Sequence, residues 1–553
     1  MSILQKQELF RVIDPRFGKN NVYRFPARRT ISLGPVMIAT MVNRYCPGIV
    51  SRVVSENNFH RKRGAPIGKD ELPNHAALQR KRKADYIGIS ASITNAVPRA
   101  KEVIKTYLSL PEPLSPRYIL VGGWHAGDLP EEFLELGRNV VVFHGEAEEN
   151  VVAFFKAVRS GQPLSAVRGI SYWDKGEIKR NGPRFPLIPR ERMDLLPAPD
   201  FGLVDYAKIK IFPLQRTRGC SGKCRFCRVR TPPRSISPRR FLEQVEMVVG
   251  QGGRRIFFVD DHFEGDLRGA RAVLKRLALL RERRIKLRIT TQNRLSLGDD
   301  PETLRLMSEA GVETAAVGCE SPIPKELRAM QKPIDHPEKM VEWVRAFSQQ
   351  GINLHMMLIF CYPMPPFLGE SPNGKSDELL SAKARSRLFW RFIKNARPAT
   401  LQVLLYTPIP GTPDWKLLEN GGRIRRDMGW EYYDGTHLVF KPDEGLNPLE
   451  VQREIEWLMR RFYAWRIIWM FGRFSLLIHL AKVGIATVSM PFVWASELPF
   501  VYRGGYGFKR WFRTAWEKPV RKFRNAINRF SAQWIILDWM KQFKLSKFKE
   551  YWS

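Results

Sequence analysis

Short apolar runs recur along the first three-quarters of the chain, each set off from the next by a stretch of helical pattern. A first group falls at residues 50–55, 86–90, 118–123 and 140–145. Runs of that length between helical segments predict a parallel sheet wound on both faces by helices, an α/β fold. Glycines close several of them, at Gly122, Gly123 and Gly145, where a missing Cβ lets a bound group approach the backbone. Residues 184–200 are proline-rich without a clean period, which predicts a linker and a boundary near residue 200. Beyond it the alternation resumes, with runs at 209–215, 255–261, 287–292, 314–320, 353–360 and 401–406. Six strands with helices between them predict a partial (β/α)6 barrel, and in such barrels chemistry gathers at the C-terminal strand ends. The polar residues fall there: Asp260 and Asp261, Gln292 and Asn293, Glu320 and Ser321.

At 553 residues the chain is long enough for two or three domains with cores of their own, and the pattern divides it at 1–195, 196–430 and 431–553. Six cysteines, half of them within eight positions, speak against a disulfide scaffold and for a reducing compartment. The opening residues lack a basic-then-apolar signal pattern, so the expected location is cytoplasmic. Lys and Arg number 91 against 55 Asp and Glu, a net charge of +36. Such an excess draws a protein to polyanions, either nucleic acid or an anionic bilayer.

The clustered cysteines are Cys220, Cys224 and Cys227, spaced C-x3-C-x2-C just behind an apolar run. A zinc knuckle would want a fourth Cys or His close by, and the sequence has none there. Thiolates are the usual ligands of iron–sulfur clusters, and a four-iron cubane normally takes four. Three leave one iron open to a substrate, by the logic of catalytic metal sites. The loop resembles that of the radical S-adenosylmethionine (SAM) enzymes. This resemblance implies a 4Fe–4S cluster whose open iron binds the amino and carboxylate groups of SAM. It also implies reductive cleavage to a 5'-deoxyadenosyl radical, fed by an electron donor such as flavodoxin or ferredoxin.

The first domain is similar to the Rossmann-like cobalamin-binding domain that precedes the barrel in one large subgroup of that family. Matching pieces are Ser90-Ala91-Ser92-Ile93-Thr94, Gly122-Gly123-Trp124-His125-Ala126 and Gly145-Glu146-Ala147-Glu148-Glu149. The resemblance implies cobalamin as a cofactor, with Ser90, Thr94, Gly122, Gly123, His125, Gly145 and Glu146 as candidate contacts. The D-x-H-x-x-G motif, whose histidine coordinates cobalt in other such domains, is absent. Cobalamin would then bind without that ligand, or the domain is a scaffold that binds nothing. His125 sits on a predicted loop, either near the cofactor or merely solvated.

In the barrel, Asp260 and Asp261 lie where the family holds the SAM amino group, since a partly desolvated ammonium needs an ionised acceptor. Either carboxylate could instead cap the following helix. Gln292 would face SAM or the substrate. Gly318-Cys319-Glu320-Ser321 resembles the family's G-I-E-S signature, which implies a place near the SAM ribose for Glu320, with Ser321 beside it. Cys361-Tyr362-Pro363 stands where relatives commonly have G-Y-P. The Cys361 thiol is therefore either a reagent at the barrel mouth or a small hydrophobe filling the glycine's space. Tyr406 opens a run similar to T-P-x-P-G-T-P, which in relatives meets the adenine, and whose composition also makes a rigid turn. Cys46 and Cys319 sit in apolar contexts as packing residues.

The last hundred residues resemble neither module. Residues 462–473 are aromatic and basic, and 474–495 are largely apolar but broken by His479, Lys482 and Pro491. Basic clusters interleaved with Trp and Phe follow at 509–513, 521–524 and 541–549. The expectation is a mainly helical region lying on an anionic membrane surface. Nucleic acid is the competing partner, but so dense an apolar content is excessive for a surface that reads phosphates only. Together these readings predict a cobalamin-dependent radical SAM enzyme, peripheral at the membrane, that methylates an unactivated carbon of a hydrophobic lipid or terpenoid. Its rivals are ring closure or carbon–carbon bond formation on a lipid or tetrapyrrole without net methyl transfer, and modification of nucleic acid.

Overall fold

In the computed structural model the described residues are 7–471, except 19–20, 61–63, 69–70, 184–185, 283–284 and 365–379. The first sheet comprises β1 (Glu8–Asp14), β2 (Ile49–Ser55), β3 (Tyr86–Ser90), β4 (Tyr118–Gly122), β5 (Val140–Phe143), β6 (Ile170–Asp174), β7 (Glu177–Asn181) and β8 (Val204–Asp205). Their spatial order is β7-β6-β5-β4-β3-β1-β2-β8. Strands β1 to β5 run parallel, and β6 and β7 add an antiparallel hairpin to one edge. The four residues of β5 are all buried, as expected of a continuous apolar run covered by helices on both sides.

Strand β1 escaped the sequence reading because Arg11 interrupts its apolar run. That arginine is buried, and it donates to Gln79 Oε1 at 2.6 Å and to the carbonyls of Leu78 and Arg82 at 3.3 and 2.5 Å. The end of the helix His75–Lys81 thus satisfies a cation inside the fold. With β1 between β2 and β3, the crossovers diverge there, and open α/β sheets bind ligands outside the strand ends at such a switch point. Loops leaving β1 and β3 meet at that place: a Cβ on Gly18 would stand 3.3 Å from the Asn95 carbonyl oxygen.

The second sheet is built from β9 (Phe212–Leu214), β12 (Arg255–Phe258), β13 (Arg288–Arg294), β14 (Val312–Glu320), β15 (Asn353–Phe360) and β16 (Thr400–Leu405), all parallel, in the order β16-β15-β14-β13-β12-β9. Between β9 and β12, a two-residue antiparallel ladder pairs β10 (Thr217–Arg218) with β11 (Arg234–Ser235). All six predicted runs contain a strand. The first is shorter than expected, because the N–H groups of Lys210 and Ile211 go to the Arg29 carbonyl at 2.8 and 2.9 Å.

The barrel is open between β9 and β16, and residues 21–29 of the N-terminal region bridge that gap. Arg29 is bonded beside β9, while the Tyr23 phenol oxygen accepts from Gln402 Nε2 on β16 at 3.2 Å. On its outer side β16 is covered by the helix Pro448–Phe471. Tyr463 Oη donates to the Leu401 carbonyl at 2.6 Å and accepts from its N–H at 3.2 Å, and Met459 Sδ accepts from the Val403 N–H at 3.4 Å. These side chains occupy an edge that would otherwise be bare. Phe462 and Tyr463, expected to belong to a surface-seeking tail, are core residues instead. Residues 472–553, with the apolar run at 474–495 and the three basic clusters, lie outside the described residues. Among those described, no helix is long and apolar enough to cross a membrane.

Candidate active site

The β10–β11 ladder pinches the neck of a loop that carries the three clustered cysteines at the C-terminal end of β9. Gly219 enters the loop at φ +89°, and a Cβ there would lie 2.5 Å from the Pro232 carbonyl oxygen, so only glycine fits. Gly222 lies between two thiols: its Cβ would be 3.5 Å from Cys220 Sγ and 3.7 Å from Cys224 Sγ. The Cys227 N–H returns to the Cys224 carbonyl at 3.2 Å. The other cysteines, Cys46, Cys319 and Cys361, are buried elsewhere. Among the described residues, no three Cys, His, Asp or Glu side chains are set to hold a single metal ion. A cluster asks for something different, one thiolate for each of three irons.

The donor set suits such a cluster. Burial opposes ionisation of Cys220, yet hydrogen bonds from His262, the Gly222 N–H and Arg294 bring its thiol down to about 6. Arg294 Nη2 is 3.4 Å from Cys220 Sγ and 3.0 Å from Ser221 Oγ. Burial pushes the Cys224 thiol up, and that of Cys227 up to about 12. Glu264 organises the cations: it accepts from the Arg294 N–H at 2.7 Å and from Asn293 Nδ2 at 2.8 Å, and lies 3.5 Å from His262 Nε2. Glu320, at the end of β14, is buried at φ +59° with its carboxylate 2.7 Å from Lys332 Nζ. The sequence reading missed Arg294, His262, Glu264 and Lys332. Arg294 and His262 were open to suspicion from their strand-end positions; Lys332 carried no local signal.

Other expected residues have different employment. Asp260 is fully buried, and its Oδ1 accepts from the N–H groups of Arg216, at 2.7 Å, and Thr217; burial pushes its acid up to about 7. Asp261 accepts from the Gly219 N–H at 2.7 Å. Both therefore brace the neck of the loop. Gln292 Nε2 donates to the Asp260 carbonyl at 3.2 Å. Ser321 is turned away into a buried pair, donating to Glu326 at 2.5 Å while Arg385 holds the other oxygen of that carboxylate at 2.6 Å. Tyr406 packs edge-on against Tyr362 and Phe440. Cys361 is buried at φ +59°, and burial pushes its thiol up to about 12.

Residues 214–367, which hold the loop and the ends of five of the barrel strands, match the radical SAM superfamily. That part of the chain is a radical SAM domain. Over 250 residues it is 28% identical to the hopanoid C-2 methylase of Rhodopseudomonas palustris, a stretch covering 44% of each chain. An uncharacterized methyltransferase of Synechocystis is 23% identical over 345 residues, 60% of this chain and 57% of that one. The chain thus spans about half the length of these two curated relatives. In fold it is similar to the cobalamin-dependent SAM radical enzyme OxsB solved with aqua-cobalamin bound, at a TM-score of 0.61 and 15% identity, over 97% of this chain and 80% of that one.

The radical SAM barrel is clamped to the N-terminal sheet through its cluster loop. Arg228 makes a two-pronged pair with buried Asp128 at 2.8 and 3.0 Å, and its guanidinium lies 4.7 Å over the Trp124 ring. Arg234 meets Glu146 at 2.7 and 2.9 Å, and Arg218 meets Glu148 at 2.6 Å. Gly411, in the proline-rich run after β16, sits so close to Asp128 that a Cβ would be 2.3 Å from its carboxylate. Glu146 therefore joins the domains. Gly145, at φ +61°, is required by Pro186, whose carbonyl oxygen a Cβ would meet at 2.4 Å. His125 is not solvated: it is buried with Nδ1 3.3 Å from Thr94 Oγ1, under the ring of Trp430 at 4.9 Å. A Cβ on Gly122 would meet nothing nearer than 3.9 Å, and Ile93, Trp124 and Ile409 keep 37, 38 and 38% of their surfaces open at the junction. Ser90 and Gly122 end their strands beside these apolar side chains, small residues of the kind that let the edge of a corrin approach the backbone.

Proposed function

We propose that the protein is a cobalamin-dependent radical SAM enzyme that methylates an unactivated carbon of a hydrophobic lipid or terpenoid at an anionic membrane surface. The observation that carries this reading is the docking of the three-thiol loop on the N-terminal sheet through the Arg228–Asp128, Arg234–Glu146 and Arg218–Glu148 pairs. The methylase name of the Rhodopseudomonas relative and the cobalamin named with OxsB support it. When bound, the 4Fe–4S cluster supplies the electron that cleaves SAM, and cobalamin a carrier for the methyl group. Cys220, Cys224 and Cys227 would hold the cluster, with Arg294, His262 and Lys332 offsetting its negative charge. Glu320 would accept from the ribose hydroxyls of SAM, held in place by Lys332. Ser90 and Gly122 would border the corrin, and the Arg228–Asp128 pair would fix the distance between the two cofactors. The reductant would be a flavodoxin or ferredoxin.

The test is turnover by anaerobically reconstituted protein given SAM, hydroxocobalamin, a low-potential reductant and a bacterial lipid extract. The expected product is a lipid heavier by one methylene, absent with Cys220→Ala. Cleavage of SAM with a rearranged product of unchanged skeleton mass would replace methylation by cyclisation.

A further inference from the structure

Alternation along β15 and β16 sends His355, Met357 and Ile359, and opposite them Thr400, Gln402 and Leu404, to the face away from the surrounding helices, into the barrel. Across this face runs a chain of hydrogen bonds. His355 Nε2 lies 3.4 Å from Gln402 Oε1, an atom that can only accept, so Nε2 carries the ring proton. Nδ1 then accepts from Thr400 Oγ1 at 2.8 Å. Gln402 Nε2 donates in turn to the Tyr23 phenol oxygen at 3.2 Å. At the end of the series the Tyr23 O–H has no acceptor among the described residues.

Tyr23 comes from the segment that closes the barrel, and it retains 45% of its surface. Burial nevertheless pushes its phenol pKa up, and the Glu320 carboxylate pushes it the same way. Its phenol is bonded to Gln402 on the inward face, so it borders the barrel interior, near enough to Glu320 to feel that carboxylate. Burial holds His355 neutral as well. The relay therefore brings no charge of its own into the barrel chamber. Met357, Ile359 and Leu404 line the same face with apolar surface.

We propose that Thr400, His355, Gln402 and Tyr23 form a substrate-recognition relay, in which Tyr23 donates to an uncharged oxygen, a hydroxyl or carbonyl, on an otherwise apolar substrate. Anchored at that oxygen, the substrate presents a fixed carbon to the strand ends where the cluster loop lies. The proposal rests on the lipid reading above and adds to it the polar group by which the lipid is read.

The experiment compares binding of a triterpenoid alcohol and of the same hydrocarbon skeleton without its hydroxyl to full-length, reconstituted protein in dilute detergent, followed by tryptophan fluorescence. The wild type should prefer the alcohol by roughly three- to tenfold, the range of one net hydrogen bond. Tyr23→Phe should bring the ratio near one while leaving the affinity for the hydrocarbon and the iron content unchanged. Gln402→Leu, which strips the donor behind the phenol, should narrow the ratio too. A wild type that binds both lipids equally, or variants that keep the full preference, would overturn the relay while leaving the lipid reading in place. A wild type that binds neither lipid overturns the lipid reading itself, and the relay with it.

Discussion

Gly122 and Gly123 stand side by side and do opposite things. Gly123 is at φ +116°, and a Cβ would strike Ser92 Oγ at 2.4 Å, so its role is to let the chain turn. A Cβ on Gly122 would make only an ordinary contact with Phe143 Cβ, at 3.9 Å. Gly122→Trp should therefore cost less than about 1 kcal/mol of stability, yet block approach to the strand end and abolish corrin uptake, read as the visible spectrum retained after incubation with hydroxocobalamin and gel filtration. Retained uptake would show that the corrin sits elsewhere. Cys361 poses the converse case, a side chain at φ +59° where glycine is at ease. Cys361→Gly relieves about 1 kcal/mol of left-handed strain and loses a similar amount of buried apolar surface, so stability should hardly move and SAM cleavage should persist. Cys361→Val, β-branched in that region, should cost roughly 2 kcal/mol in a urea titration. Loss of product with Cys361→Gly, SAM cleavage being intact, would instead make the thiol a reagent.

At the scale of elements, the end of β2 is tied to two helices by one carboxylate. Glu56 receives His75 Nε2 at 2.9 Å and Arg99 Nη2 at 2.6 Å. Burial alone would raise its pKa, but these bonds hold it down from 4.5 to about 2. The unfolded chain then binds more protons between those values, so the stabilisation is complete above about pH 4.5 and fades as pH falls toward 2, roughly 3 kcal/mol in all. Glu56→Gln should be less stable at neutral pH and lose less on acidification, measured by urea midpoints from pH 6 to 3. Strands such as β5 were legible because a parallel strand covered on both faces has to be apolar throughout. β1 was not, since nothing local to Arg11 tells that Gln79 will be waiting for it. The helix Pro448–Phe471 was misjudged for a related reason: aromatic and basic residues read alike on a membrane and on the edge of β16. Truncation at residue 455, which removes Met459, Phe462 and Tyr463, should therefore unfold the barrel, shown by loss of the cooperative urea transition.

Over the whole molecule, the cysteine trio was readable because its members are close in sequence, whereas Arg294, His262 and Lys332 come near it only once the barrel brings separate strand ends together. Tyr23 is the extreme case, 379 positions from Gln402. The net charge of +36 acts at this scale as well. A chain cut after Phe471 keeps the helix on β16 but loses the basic clusters at 509–513, 521–524 and 541–549. It should retain its cluster and its urea transition while sedimenting poorly with anionic liposomes, as each Lys or Arg near such a surface contributes about 1 kcal/mol. Undiminished sedimentation would place the membrane contact within residues 1–471. The segment that closes the barrel bears on how the protein is made. Tyr23 leaves the ribosome 379 residues ahead of Gln402, so the first-born part of the wall must wait for the last strand before the chamber can hold anything dry. The barrel is for the same reason no interchangeable cassette: moved to another host protein from the linker onward, it would arrive with a slit along its side.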